Sequence, residues 1–454
     1  MGLLKVSVIL ALVFAGFAVL INKAIQPPPV PKIEETWWGP GLPTEQDKSV
    51  KPFKINISEK DIKDLKYRLD NHRTFVPPLE GISQQYGLNT NLLKEIVDFW
   101  RTKYNWKERE QYLNQFPQYK TNIQGLDIHF LHVKPKITKD VKVLPLLIVH
   151  GWPGSVREFY DIIPILTTPK NGIVFEVIAP SIPGYGFSQA AIRPGLGAAQ
   201  IAVVMKNLMH RLGFQKFYAQ GGDFGAIILQ QLSVIHPEVL YGFHSNMCTV
   251  QTLRSFLWTL VGVIYPDAVV RKEHYHRVYP MGTNFARLLK ETGYLHLQAT
   301  KPDTIGVAMS DSPVGLAAYI LEKFITGYNS TYLEIDYNKW KNDWFPYTDL
   351  LDNIMIYWWT NSMQTAFRLY SETFNKAHSS LGGSRIPISI PTACARFEHD
   401  FYASDKALEE IYPNSVQLTD HKGGHFAAMQ LPKVLADDIF SAVLKFEDIR
   451  HKKQ

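Results

Sequence analysis

Only two of the 454 residues are cysteine, Cys248 and Cys394. Two thiols cannot build a disulfide framework or a cysteine-based structural zinc site, and they suit a reducing compartment. Charge of one sign is also scarce. Forty-eight Lys and Arg against forty-two Asp and Glu leave a formal net charge of +6, and no basic block is longer than the terminal Arg450-His451-Lys452-Lys453. So mild an excess does not argue for a nucleic-acid partner. No phosphate loop or dinucleotide fingerprint is present, so no cofactor is implied. The alternate histidines of His274-Tyr275-His276 have no neighbouring Cys or carboxylate cluster and read as a solvated face, so no metal is expected. Nor is there a Gly-x-Ser-x-Gly anywhere. What is abundant is apolar surface. With 46% hydrophobic and 20% charged residues the chain is neither disordered nor collagen-like. Its length suits about three domains of roughly 150 residues, or one large α/β domain with additions.

The longest apolar run is Val6 to Ile21, closed by Asn22 and Lys23. Sixteen helical residues rise about 24 Å, short of a hydrocarbon core of about 30 Å, but counting from Gly2 and letting Lys5 snorkel gives a span of about 20. A cleaved signal peptide is the rival reading. Against it, no Ala-x-Ala site follows; the chain runs into Pro27-Pro28-Pro29-Val30-Pro31, a stiff spacer, and then Trp37-Trp38, a pair suited to the headgroup level. An uncleaved anchor in contact with lipid is therefore expected. Lys5 on one side and Lys23 and Lys32 on the other barely discriminate its orientation. The acceptors Asn56-Ile57-Ser58 and Asn329-Ser330-Thr331 count only if the body faces a lumen.

Periodicity divides the chain into an anchor (1–24), a Pro-rich linker with the Trp37-Trp38-Gly39-Pro40-Gly41 segment (25–50), and a helical layer (51–120). In that layer Ser58 caps a helix to Leu69, and Asn91 to Trp100 repeats at helical spacing. From Gly125 the period shortens. Leu126 to Val133 reads as a strand, and Val143–Val149, Phe175–Ala179 and Phe217–Ala219 read as buried parallel strands, with a helix over Ala198–Leu212. This is the first half (121–245) of an α/β core. A helical, aromatic-rich stretch (246–380) has the pattern of an inserted lid. Strands return at Ile388–Ala395 and Ser415–Leu418, with a last helix over Pro432–Phe446, as the second half (381–454).

The sharpest local signal is Gly221-Gly222-Asp223-Phe224-Gly225, between a strand and a helix. Small residues flanking a nucleophile at that junction form a nucleophile elbow, here with Asp at its centre. A carboxylate is ionised at neutral pH and attacks saturated carbon without losing a proton. A base is then free to activate water against the resulting ester. Chain order (nucleophile, acid, His) leads to His425 in Gly423-Gly424-His425-Phe426 and to Glu398, which closes the strand Ile388–Ala395; Asp400 and Asp405 compete for the acid role. His150-Gly151-Trp152-Pro153-Gly154 follows the strand ending at Val149, where an oxyanion loop belongs, and the N–H groups of Trp152 and Phe224 are its expected donors.

These residues resemble the epoxide hydrolases of the α/β-hydrolase superfamily, in the microsomal branch, and most of all the insect juvenile hormone epoxide hydrolases. The similarity runs over nearly the whole chain. It is most specific in HGWPGSVREFY from His150, PGYGFS from Pro183, GGDFGA from Gly221, GYLHLQATKPDT from Gly293, DSPVGLAAYILEKF from Asp311 and GGHFAA from Gly423. The resemblance implies an α/β-hydrolase core with a helical lid, an N-terminal helical layer and a membrane anchor. It also implies a catalytic body on the cytosolic face of the endoplasmic reticulum. By that resemblance Asp223 is the nucleophile, His425 the base and Glu398 its acid, with Tyr294 and Tyr370 as the phenols that hold the epoxide oxygen. Phe224 departs from the Trp that many relatives carry after the nucleophile, and Phe324-Ile325-Thr326-Gly327-Tyr328 departs from a Trp-bearing stretch.

The expected reaction converts an apolar epoxide and water to a vicinal diol, with juvenile hormone or a similar terpenoid epoxide as substrate and a broad xenobiotic range as the alternative. The aromatic lid residues Trp258, Trp340, Trp344, Phe345, Trp358 and Trp359 suit an apolar substrate. A haloalkane dehalogenase shares the Asp nucleophile, but Phe224 offers no side-chain N–H to a halide. A non-catalytic lipid carrier would not need Asp223, Glu398 and His425 intact.

Overall fold

The computed structural model describes residues 22, 25–43, 45–136 and 141–452. The expected anchor run Val6–Ile21 lies outside the described residues. Among the described residues no single helix is long and apolar enough to cross a membrane.

Among the described residues, nine strands form one mixed sheet in the order β1-β2-β3-β5-β4-β6-β7-β8-β9. They are β1 (Lys51–Phe53), β2 (Gln118–Ile123), β3 (Leu126–Val133), β4 (Lys142–Val149), β5 (Ile173–Pro180), β6 (Phe217–Gly221), β7 (Leu240–Ser245), β8 (Thr392–Phe397) and β9 (Ser415–His421). From β5 to β9 the pairings are parallel, while β1, β2 and β3 add an antiparallel edge. The central strands are apolar on both faces because helices cover both sides: in β4 only Lys142, Val143 and Pro145 are not buried. The sequence reading of 51–120 as purely helical thus misses β1 and β2, whose polar residues form an edge ladder rather than a buried run. It also misses β7, in which Gly242, His244 and Ser245 hide the strand pattern. The strand expected over Ile388–Ala395 begins only at Thr392, since Pro387 and Pro391 lack the N–H that a ladder needs.

The helices of eight or more residues are α1 (Glu59–Asp70), α2 (Thr90–Thr102), α3 (Trp106–Leu113), α4 (Ala198–Arg211) and α5 (Asp223–Ile235), then α6 (Leu253–Val261), α7 (Met281–Glu291), α8 (Gly293–Thr300), α9 (Pro302–Asp311), α10 (Pro313–Tyr328), α11 (Tyr347–Thr360) and α12 (Met363–Thr373) between β7 and β8, and α13 (Pro432–Lys452) at the end. Ser58 caps α1, its hydroxyl accepting from the Asp61 N–H.

Two further expectations change. Trp38 is not at a headgroup surface: the residue is 3% exposed and its backbone N–H donates to the Gln124 carbonyl at 2.8 Å. The cysteines are not free thiols. Cys248, just after β7, and Cys394, in β8, form a disulfide with Cα atoms 5.9 Å apart. Adjacent parallel strands bring together two residues separated by 146 positions, a proximity that spacing alone does not reveal.

The helical segment is fastened to the core by a buried charge cluster. Asp352 of α11, fully buried, accepts from Arg109 Nε at 2.9 Å and from the Tyr104 hydroxyl at 2.9 Å, and Arg157 Nε lies 3.3 Å away. Arg157, 1% exposed, also reaches Asp349 at 2.6 Å. Removing one partner of such a cluster strands the other charges in low dielectric, at a cost of about 3–5 kcal/mol. Asp352→Ala is therefore expected to destabilise the fold by about that amount in urea unfolding, whereas a change under about 1 kcal/mol would show that the cluster does not hold the two parts together.

Candidate active site

The turn from β6 into α5 presents Asp223 with φ +47°, the left-handed region that a non-glycine residue rarely adopts. The backbones around it nearly touch. A Cβ on Gly225 would lie 1.9 Å from the Val149 carbonyl oxygen, and one on Gly151 would lie 2.2 Å from Asp223 Oδ1. Glycine at these two positions is a steric requirement of the elbow, which is why the motif is so legible.

One carboxylate oxygen, Asp223 Oδ1, accepts the Trp152 N–H at 2.8 Å; the other, Oδ2, lies 3.4 Å from His425 Nε2. Phe224 sits in the first turn of α5, where an N–H has no intrahelical acceptor, so a second donor is available beside the same carboxylate. The loop carrying Trp152 is held by His150. Burial lowers the pKa of this ring to about 4, and as a neutral imidazole it bridges the Gly151 carbonyl (Nδ1, 2.9 Å) and the Ile182 N–H (Nε2, 3.2 Å). His425 is opposite in character. Burial alone would lower its pKa, but the charge of Asp400, with the ring's hydrogen bonds to Asp223 and Asp400, raises it well above the usual imidazole value. The resting site thus holds an imidazolium between two carboxylates.

The acid on His425 Nδ1 is Asp400, at 2.7 Å, and not the expected Glu398. β8 ends at Phe397; the Glu398 N–H still donates to the His421 carbonyl, but its side chain is exposed. The chain then turns, and Asp400, with its side chain 2% exposed, points inward at the ring. Asp405, the other competitor, is engaged by Arg396 at 2.6 Å.

Tyr294 and Tyr370 converge on the same place from α8 and α12. Tyr294 stacks on Trp152 (ring centroids 5.1 Å), Tyr370 meets Trp152 edge-on (5.8 Å), and their own rings are 6.1 Å apart. Burial, and in each case the nearby Asp223 charge, push both phenols well above their ordinary pKa, so both stay protonated donors. A cavity of about 740 Å³ opens in front of Asp223, with Trp152, Tyr294 and His425 in its wall. Its apolar residues include Leu288, Leu333, Ile335, Phe401 and Phe426. None of the six aromatics expected to serve the substrate lines it; Trp340, Trp344 and Phe345 are instead buried packing residues.

The acid assignment has a direct test. Asp400→Asn keeps the shape but loses the charge that orients and stabilises the imidazolium, and turnover should fall by about 10⁴. Glu398→Gln should change steady-state turnover little; the opposite pattern would restore Glu398 to the role.

The chain matches the family model described as "Epoxide hydrolase N terminus" over residues 50–159 and that of the "alpha/beta hydrolase fold" over 145–285. It is 52% identical to juvenile hormone epoxide hydrolase 2 of Ctenocephalides felis, over 96% of this chain and 95% of that one. It is 42% identical to epoxide hydrolase 1 of Oryctolagus cuniculus, over 90% and 92%. The crystal structure of juvenile hormone epoxide hydrolase from the silkworm Bombyx mori superposes with a TM-score of 0.89 at 44% identity, covering 92% of this chain and 99% of that one. With an aspartate elbow, a paired histidine and two neighbouring phenols packed on Trp152, the chain belongs to the epoxide hydrolases of the α/β-hydrolase fold.

Proposed function

We propose that the protein opens an apolar terpenoid epoxide of the juvenile hormone type to its vicinal diol through an ester on Asp223. The observation that carries this reading is the divided role of the Asp223 carboxylate: Oδ1 is occupied by the Trp152 N–H, which leaves Oδ2 to attack. Oδ2 bonds to an epoxide carbon as the carbon–oxygen bond of the ring breaks. Tyr294 and Tyr370 hydrogen-bond the departing oxygen and supply its proton, which the His425 imidazolium then replaces on the phenol, leaving the ring neutral. Water then adds to the ester carbonyl carbon and gives a proton to His425, oriented by Asp400. The N–H groups of Trp152 and Phe224 stabilise the resulting oxyanion. The carbon–oxygen bond to the substrate breaks, the leaving alkoxide takes the proton from His425, and the diol departs.

The substrate class rests on the juvenile hormone epoxide hydrolases at 43–53% identity and on a cavity with room for a chain of terpenoid length. α6 to α12 act as the lid over that cavity, with the two phenols as its catalytic contribution. In a single turnover in heavy-oxygen water, the first diol released should carry oxygen from the enzyme. Solvent oxygen in that first diol would rule out the ester. With the same preparation, kcat/KM for a juvenile hormone should exceed that for styrene oxide, and the reverse order would favour a broad xenobiotic role.

The apolar run before the Pro-rich linker serves in this reading as a single-pass anchor in the endoplasmic reticulum, with lipid as its partner and the body on the cytosolic face. The Cys248–Cys394 bridge is the contrary observation, because disulfides persist in oxidising compartments. Asn56 is exposed and reports the side. On the cytosolic face it should carry no glycan when the full chain is expressed with microsomes, and a glycan there would put the body in the lumen.

A further inference from the structure

Beside Asp223 lies a second and much smaller chamber of about 20 Å³, which shares part of its wall with the substrate cavity. That is room for a single water molecule. Trp152, Asp223, His425 and Phe426 form the wall common to both spaces. The remaining polar side chains of the small chamber are His150, whose two ring nitrogens are already engaged by backbone, and Glu158, Gln220 and Asn246. Gln220 and Asn246 are joined to each other, Gln220 Nε2 donating to Asn246 Oδ1 at 2.8 Å. The carboxyl of Glu158 has no side-chain partner among the described residues. The backbone makes way for it: a Cβ on Gly154 would fall 1.3 Å from Glu158 Oε1, so the loop passes flush against this side chain. Nothing in the roles of Asp223, His425, Asp400 or the two phenols uses Glu158.

We infer that the small chamber holds the hydrolytic water and that Glu158 is the residue that positions it. This rests on the ester reading above. One O–H of the water points to His425 Nε2, which removes that proton as the oxygen bonds to the Asp223 carbonyl carbon. The other O–H is held by the carbonyl oxygen of the Glu158 carboxyl. Water thus has a chamber of its own while the alkyl chain fills the larger cavity, and the two do not compete for space.

The role suits an uncharged acid. Burial, with the Asp223 charge adding to it and His425 opposing, raises the pKa of Glu158 to about 8. The groups that face it are Asp223 from α5, His425 from the loop after β9, and Tyr357 from α11, whose hydroxyl donates to the Gly154 carbonyl at 2.6 Å. At neutral pH no extra negative charge stands beside the oxyanion that forms on residue 223. Above about pH 8 an ionised Glu158 opposes that oxyanion and slows its formation.

Rapid-quench intact mass with styrene oxide separates the two steps, reading the adduct on Asp223 as it forms and decays. Glu158→Leu should form the adduct at a rate within about threefold of the unaltered enzyme and lose it about 100-fold more slowly, the effect of a misplaced reactant. Glu158→Gln keeps a carbonyl acceptor, so decay should slow by less than about tenfold, and the alkaline decline above pH 8 should vanish. Unchanged decay in Glu158→Leu, equal loss of both steps, or an alkaline decline that survives in Glu158→Gln would overturn the inference while leaving the ester intact. Should Glu158→Leu not fold, the pH profile of Glu158→Gln decides alone. Absence of any adduct in the unaltered enzyme would remove the ester reading itself, and this inference with it.

Discussion

The proton on His425 is kept there by two carboxylates, and the order of events in the site depends on that arrangement. In the resting state Asp400 and Asp223 both favour the imidazolium, so the ring is no base. Forming an ester on Asp223 erases one of the two negative charges and its hydrogen bond. The pKa of the ring then falls, and a group that had been a spectator cation can give up its proton and, once neutral, accept one from water. The nucleophile therefore switches on the base, and water is not activated before there is an ester for it to attack. Asp400 has to remain for this to work. It keeps the ring oriented when Asp223 no longer does, which is why a buried acid suits the position and an exposed Glu398 does not.

The same economy governs the loop from His150 to Phe159. Trp152 gives its N–H to the nucleophile and its ring to both phenols. Asn353 donates to the Pro153 carbonyl at 2.8 Å and accepts from the Ser155 hydroxyl at 2.7 Å, while Tyr357 ties down Gly154. Arg157 then locks into the charge cluster on Asp349 and Asp352. A ten-residue loop is thus clamped from above by α11 and from below by the neutral ring of His150. Errors of an ångström in catalytic geometry cost about 100-fold in rate. The charge cluster at Asp352 thereby bears on catalysis through the Trp152 N–H, although it lies outside the substrate cavity.

The elbow, His425 and the central strands were legible in the sequence because each has a local signature: glycines forced by close backbone contact, a glycine loop after the last strand, apolar runs buried on both faces. The acid was harder. Glu398 and Asp400 stand two apart and would share a face if β8 continued, so periodicity cannot choose between them; the choice is made by the turn after Phe397, which no spacing rule predicts. The tyrosines could be selected among twenty-two only through resemblance, since a phenol in a catalytic cavity and one in a core look alike in a sequence. The disulfide and β7 were missed for one reason. Both depend on which strands become neighbours, and the helical segment between β7 and β8 conceals that adjacency. Glu158 stood within a quoted motif, yet only the chamber beside it gives it meaning.

The phenols impose a last constraint on the chemistry. Burial and the Asp223 charge both oppose their ionisation, so a phenolate left behind after ring opening would be a poor resting product. The proton delivered to the epoxide oxygen must be replaced. The imidazolium can replace it as soon as ester formation has lowered the pKa of His425. One proton then serves both halves of the reaction: it leaves the ring to neutralise the phenol, and the vacancy it leaves is filled by a proton from water. When the diol departs, the alkoxide takes a proton from His425, and the carboxylic acid left on Asp223, which holds the second proton of the water, passes it to the ring and restores the imidazolium–carboxylate pair. Charge on residue 223 is therefore the variable that times every transfer, which accounts for placing the nucleophile where the phenols, the imidazole and the Glu158 carboxyl all feel its field.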